Sequence, residues 1–157
     1  MKIQLLLVGK TRFPFIREGM EEYRRRVVHY ADFTIRELPD LKKPGSRPEK
    51  MVKLEEGIGI LRSIDKADYV VLLDERGQAS NSLEFAAFLE KRQHGSYKTL
   101  VFVIGGAYGF SEEVYQRADL ALSLSKMTFS HEMIRLIFLE QLYRAFSIIR
   151  GEPYHHG

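Results

Sequence analysis

Cysteine is absent from the chain, which removes a disulfide framework, a thiolate zinc site and a cysteine nucleophile at once. Long hydrophobic runs are missing too, and no segment approaches the apolar length of a membrane span. The run Ile3–Val8 is broken by Gln4 and followed by Gly9-Lys10, so it is too short for a signal peptide. A cytoplasmic protein with no membrane association is expected. Charge of one sign is scarce: 24 Lys and Arg against 21 Asp and Glu leave +3, a mild lean towards polyanions that identifies none of them. Repeats and low-complexity segments are lacking. Two nucleotide signatures fail as well. Gly9-Lys10-Thr11 hints at a phosphate loop, but the glycine that such a loop needs at position 4 is Gln4. The first strand carries no G-x-G-x-x-G, so Glu37 or Asp40 beyond the second strand reads as solvated charge and not as a ribose-binding acid.

What is present is an ordinary globular composition, 45% hydrophobic over 157 residues, enough for one domain with a real core. Apolar runs of strand length occur at Ile3–Val8, Phe33–Leu38, Tyr69–Asp74, Thr99–Ile104 and Leu120–Leu124. Several are continuous, as expected for strands covered on both faces. Helix-like segments alternate with them at Pro14–Tyr30, Pro48–Ile64, Ser82–Gln93, Ser111–Ala118 and Glu132–Arg150. Start signals support three: Ser46-Arg-Pro-Glu49 reads as a capping box, Asn81 precedes Glu84 by three, and Ser111 precedes two glutamates. The alternation predicts an α/β fold, a mostly parallel sheet with helices on both faces. Pro39–Arg47 is the longest predicted loop and the one expected to move most. The last helix is apolar around most of its circumference, from Met133 through Ile149, and a helix of that kind is buried on more than one side. In a domain this small, a second subunit is the expected cover.

Three strand ends look specialised. Leu73-Asp74-Glu75-Arg76-Gly77 closes the third strand, Gly105-Gly106-Ala107-Tyr108-Gly109 follows the fourth, and Ser125 to Ser130 follow the fifth. Three glycines in five residues permit close backbone approach to a ligand and positive φ, although a tight turn alone would use them too. In open α/β sheets ligands bind outside the carboxyl ends of strands, so these three ends point to one crevice. Arg24-Arg25-Arg26 and the run Lys42-Lys43, Arg47, Lys50, Lys53 are equally readable as phosphate contacts or as solvated faces, since Glu18, Glu21 and Glu22 neighbour the first run. His155-His156 lacks further histidines at ligand spacing, so no metal is expected. His131 stands at a helix start, where capping and ligand binding are both open to it.

Taken together, Leu73-Asp74, Gly105 to Gly109, Ser123-Leu-Ser-Lys-Met-Thr-Phe-Ser-His131, Glu140-Gln-Leu-Tyr-Arg-Ala145 and Pro153-Tyr-His155 resemble the RlmH family. These are bacterial SPOUT-class methyltransferases acting on N3 of a pseudouridine in large-subunit (23S) rRNA. The resemblance spans the chain, including Val8-Gly-Lys10. It implies a single 1–157 domain whose trefoil knot and cofactor site lie within about residues 70–150, a homodimer, and a catalytic tail at 152–157. It also implies S-adenosylmethionine as methyl donor, held by Leu73, Gly106, Ser125, Lys126, Met127, Thr128, Phe129 and Ser130. One departure is visible: His156 and Gly157 stand where the family tail usually has a lysine or arginine after Tyr-His.

The implied chemistry suits these residues. The imide N3 carries a proton and is a poor nucleophile, so catalysis needs alignment and handling of that proton. His155 is the candidate proton acceptor, and Tyr154 could hydrogen-bond to the base or stack on it. Arg135 and Arg144 are candidates for phosphate or carboxylate binding, with a structural ion pair as the equal alternative, and Arg135 and His131 join Tyr154 and His155 as the candidate catalytic residues. The expected partner is the rRNA of a large subunit or an assembled ribosome. The rival readings are a SPOUT enzyme acting on another RNA nucleoside and a ribosome-binding protein without activity.

Overall fold

Neighbouring residues of a strand face opposite sides of a sheet, and here both sides are apolar. In the computed structural model, which describes residues 1–41 and 47–157, this splits the core in two. Leu5, Leu7, Val71, Phe102 and Ile104 point to one side, while Leu6, Val8, Leu72, Val101 and Val103 point to the other. The elements follow in the order β1 (Lys2–Val8), α1 (Pro14–Val27), β2 (Asp32–Leu38), α2 (Glu49–Arg62), β3 (Tyr69–Ala79), α3 (Ser82–Gln93), β4 (Thr99–Ile104), α4 (Glu112–Arg117), β5 (Leu120–Ser123) and α5 (Met133–Ile149). All strand pairs are parallel, in the order β2-β1-β4-β3-β5. Helices α1, α3 and α5 supply the first core, and α2 and α4 the second. The expected α/β architecture is therefore present, and its helix ends differ from the expected ones by at most three residues, the largest difference being at α1, which ends at Val27 and not Tyr30.

Local signals explain some boundaries and not others. Asn81 forms the expected capping box, its Oδ1 accepting the Glu84 N–H at 2.8 Å while Glu84 accepts the Asn81 N–H at 3.1 Å. Ser46 and most of the Pro39–Arg47 loop lie outside the described residues, and Pro48 is the residue that precedes α2. Ser111 precedes α4 but makes no capping bond; its hydroxyl is buried against Gly57, where a Cβ would come within 2.5 Å of it. Strand β3 runs five residues past its predicted end. Leu122 pairs with both Leu73 and Gln78, so residues 74–77 form an excursion from the ladder. Gly77 is required there, because a Cβ would meet the Ala121 backbone at 2.6 Å.

Helix α5 lies between α1 and α3 over the sheet, and Phe138, Leu139 and Leu142 are fully buried within the single chain. Much of its apolar circumference is thus covered without a partner, which corrects the reason given above for a second subunit. Gly19 lets α1 approach closely, since a Cβ there would meet Leu136 at 2.7 Å. No helix among the described residues is long and apolar enough to cross a membrane.

Candidate active site

The chain leaves β3 for α3 on one face of the sheet and leaves β4 for α4 on the other. Connections that diverge from adjacent parallel strands open a crevice at their carboxyl ends. Such a crevice, about 470 Å³, is present here. Leu73 to Arg76 form one wall, Gly105 to Phe110 another, and the segment after β5 the third.

Of the residues expected to hold the donor, Leu73, Gly106, Ser125, Met127, Thr128, Phe129 and Ser130 line the crevice together; Lys126 does not. Positive φ occurs at Gly109 (+84°), so the sharp turn belongs to that residue and not to Gly106. A 3.2 Å bond from the Gly109 N–H to the Gly106 carbonyl closes the turn. The loop after β5 is shaped by its own hydroxyls. Ser123 Oγ donates to the Ser125 carbonyl at 2.8 Å, and Ser125 Oγ accepts the Met127 N–H at 3.0 Å. Ser130 Oγ accepts the Met133 N–H at 3.1 Å, so Ser130 and not His131 closes the start of α5. His131 remains exposed on the crevice wall.

Apolar Leu73, Ile104, Leu122 and Ile134 sit beside backbone amides and short hydroxyls in this space. That composition suits a planar heterocycle bearing a sugar, with little large side chain in the way. Asp74 stands at the mouth. Its carboxylate accepts the Tyr115 hydroxyl and the Arg76 N–H. Burial, and then the bond to Asp74, push the Tyr115 phenol up to about 12, so it stays a donor. Behind Gly106 lies Glu56 of α2, whose Oε1 is buried without a partner among the described residues; burial raises its carboxyl above the usual range.

Tyr115 and Glu56 escaped the sequence reading. Tyr115 lies on a short helix with no motif of its own. Glu56 did leave a signal, being a charged residue four positions from both Val52 and Ile60, which are buried on α2.

The other expected site residues are elsewhere. Arg135 does not line the crevice. Its guanidinium is buried, donating to Thr11 Oγ1 at 2.7 Å and to the Val8 carbonyl at 2.8 Å, with Glu37 at 3.7 Å. Burial lowers its proton affinity, and Glu132, Glu37 and Asp40 oppose that. Its observed environment is that of a structural ion pair.

The tail folds back onto α5. Tyr154 donates to Glu140 Oε1 at 3.1 Å and stands edge-on to Tyr143 with ring centres 4.6 Å apart. Arg144 lies 4.9 Å over the Tyr154 ring, bonds Glu140 at 2.5 Å, and has Nη1 3.1 Å from His155 Nδ1. Burial, joined by Tyr23 and Glu140, raises the Tyr154 phenol. Ile134 lines the crevice near the start of α5, and Arg144 is ten residues on, about 15 Å along the axis. In one chain, then, tail and crevice occupy opposite ends of the last helix.

The basic runs divide similarly. Arg24, Arg25 and Arg26 pair with Glu21 and Glu22 on a solvated face, and Arg47 pairs with Glu55. Lys53 reaches the crevice rim, while Lys42 and Lys43 lie outside the described residues.

Comparison with known proteins gives the family. The family described as "Predicted SPOUT methyltransferase" matches residues 1–155. A protein named ribosomal RNA large subunit methyltransferase H from Parabacteroides distasonis is 50% identical over 156 residues, 99% of each chain. Its namesakes from Christiangramia forsetii and Flavobacterium johnsoniae are 50% and 45% identical over the same coverage. Among solved structures, the tRNA (m1G37) methyltransferase from Aquifex aeolicus superposes with a TM-score of 0.55 at 15% identity, covering 100% of this chain and 76% of that one. A probable methylase family protein from Haemophilus influenzae gives 0.52 at 15% identity, covering 95% and 66%. At that identity the structures speak to the fold alone. The full-length matches carry more: the chain belongs to the SPOUT methyltransferases and, among them, to the large-subunit rRNA methyltransferase H (RlmH) family.

Proposed function

We propose that the protein methylates N3 of a pseudouridine in 23S rRNA, using S-adenosylmethionine, on a large subunit or assembled ribosome in the cytoplasm. The observation that carries this reading is the crevice at the ends of β3, β4 and β5, built from residues that the family resemblance assigns to the donor, in a chain matching the H-type enzymes end to end. S-adenosylmethionine supplies an activated methyl, so the protein's task is to bind, orient and exclude water. Leu73, Ile104 and Ile134 offer apolar walls for adenine, and the Gly105–Gly109 and Ser125–Ser130 segments offer amides and hydroxyls for the ribose and amino acid portions. The trefoil knot implied by the family would bring these segments together.

Tyr154 and His155 act on the acceptor base. Because they sit at the far end of α5 from their own crevice, the reading is completed by a homodimer in which the tail of one chain serves the crevice of the other. Exposed Phe13, Phe15 and Met133 offer apolar surface for such a partner. Mass mapping of rRNA nucleosides with and without the gene tests the assignment, followed by transfer to separated particles. One N3-methylpseudouridine should vanish on deletion and return on adding protein and donor. Loss of a different methyl group would indicate another nucleoside, and an unchanged profile with no donor binding would indicate a ribosome-binding protein.

A further inference from the structure

We infer that Arg144 fixes the tautomer of His155, so that His155 meets the acceptor as a hydrogen-bond donor through Nε2 and not as the proton acceptor its residue type suggests. The inference rests on the proposed role of the tail. Arg144 Nη1 lies 3.1 Å from His155 Nδ1. A guanidinium carries only donors and is not deprotonated in proteins, so Nδ1 must offer its lone pair. A neutral imidazole with a bare Nδ1 holds its proton on Nε2. A ring protonated on both nitrogens would turn an N–H against the guanidinium and lose the contact.

The surroundings hold this arrangement in place. Arg144 is anchored by Glu140 at 2.5 Å and lies over Tyr154, whose hydroxyl donates to the same Glu140 oxygen. From α1, Tyr23 and Arg26 face the cluster, Arg26 lying over the rings of Tyr23 and Tyr143. Glu152 is taken by the Tyr30 hydroxyl at 2.7 Å. Among the described residues, the carboxylate bonded within the cluster is that of Glu140, and it is committed to Arg144, Tyr154 and Gln141. His155 Nε2 is buried with no partner among the described residues. It is a donor kept free for something that enters.

An imide offers the matching acceptor. When N3 loses its proton, the charge spreads onto the two flanking carbonyl oxygens, and a preorganised N–H aimed at one of them stabilises that anion. The N3–H bond breaks with its proton passing to solvent water. The pair on N3 then forms the N–CH3 bond, while the S–CH3 pair stays on sulfur and turns sulfonium into thioether. His155 keeps its own proton throughout. Arg144 touches no reacting atom and is a positioning residue.

Substitution at His155 separates donor from base. Glutamine carries an N–H near the place of Nε2 but has no basic nitrogen. With ribosomal particles and saturating donor, His155→Ala should lower kcat by about 100-fold, as loss of a single oxyanion donor does, and His155→Gln, which keeps a donor, should stay within about tenfold of the parent. Arg144→Met should lower kcat without changing S-adenosylmethionine affinity, and Arg144→Lys, which like arginine carries only donors, should recover most of it. Long-range 1H–15N spectra of the full chain should show the His155 proton on Nε2, moving to a tautomer mixture in Arg144→Met. A proton found on Nδ1 overturns the inference whatever the turnover. Equally slow His155→Gln and His155→Ala enzymes also overturn it, and leave the tail as the source of a base. Full turnover by His155→Ala removes His155 from catalysis and overturns the inference.

Discussion

The carboxylate of Glu56 stands directly behind Gly106: a Cβ at position 106 would lie 2.6 Å from Glu56 Oε2 and 2.9 Å from Oε1. A side chain at position 106 therefore either displaces the Glu56 carboxylate, which is already buried, or pushes the loop forward into the crevice. Gly106→Ala should weaken S-adenosylmethionine binding at least tenfold, about 1.4 kcal/mol, in a folded protein. Adding Glu56→Ala should return part of that affinity by making room behind the loop. Calorimetry on the two variants decides, and unchanged affinity in Gly106→Ala would take this residue out of the donor site.

Glu56 itself gives a pH-dependent signature. Burial raises its carboxyl above the ordinary 4.5, so the folded state binds this proton more tightly than the unfolded chain. The cost of the buried charge is absent below the unfolded value, grows as pH rises through the interval between the two values, and is complete above the folded one. Glu56→Gln should therefore raise stability at pH 7, with the gain fading as pH falls to 4.5. Urea titrations at both pH values measure it; a constant difference would mean that Glu56 is not desolvated.

Arg135 connects α5 to β1 and, through Thr11, to β2. Thr11 Oγ1 accepts from Arg135 and donates to Glu37 at 2.6 Å, while the Val8 carbonyl takes the second guanidinium nitrogen. Glu37 is 35% exposed, so what Arg135 supplies is chiefly its two charged hydrogen bonds to Thr11 and Val8, each worth about 1.5–3 kcal/mol. Arg135→Ala should lose stability on that scale while the folded fraction still transfers methyl groups. A variant of normal stability without turnover would restore Arg135 as a catalytic candidate.

The hydrophobic patterns of the five strands and five helices were legible because β1, β4 and the first half of β3 are covered on both faces, the edge strand β2 still buries Phe33 and Leu38, and turns interrupt the helices. The crevice was legible for the same reason: Gly105 to Gly109 and Ser125 to Ser130 follow strand ends directly. What depended on distant chain was hidden. Glu56 reaches the site from a helix fifty residues before Gly106, and Arg135 turns inward to the carbonyl of Val8, a contact no local pattern encodes. The last helix misled in a different way. Its apolar circumference reports burial, but not whether α1, α3 or a second chain provides it.

A dimer should accordingly be tested on surface left open by one chain. Phe138 is fully buried, so Phe138→Asp would unfold the domain and say nothing about assembly. Phe15 and Met133 are exposed in the single chain at 62% and 38%. If they face a partner, Phe15→Glu and Met133→Glu should yield folded monomers in sedimentation equilibrium, with donor binding or turnover reduced. A dimer unaffected by both substitutions would place the interface elsewhere.

A chain end is normally mobile unless tied down, and here it is tied. Tyr154 packs edge-on to Tyr143, and Glu152 is held by Tyr30 and by its N–H bond to the Ser147 carbonyl at 2.9 Å. Deleting Tyr154 to Gly157 removes the aromatic pair, worth about 0.5–1.5 kcal/mol beyond its area, so the protein should fold with slightly lowered stability. None of the deleted residues lines the chain's own crevice, so S-adenosylmethionine affinity should change little. Methyl transfer to ribosomal particles should be lost, because the groups proposed to meet the base are gone. Mixing the truncated chain with a full-length chain disabled in its donor crevice provides the decisive comparison. If the tail serves the other chain's crevice, mixed dimers should regain turnover, since each contributes what its partner lacks. A truncated protein working alone at the full rate would leave His131, on the crevice wall, as the better candidate for acting on the acceptor.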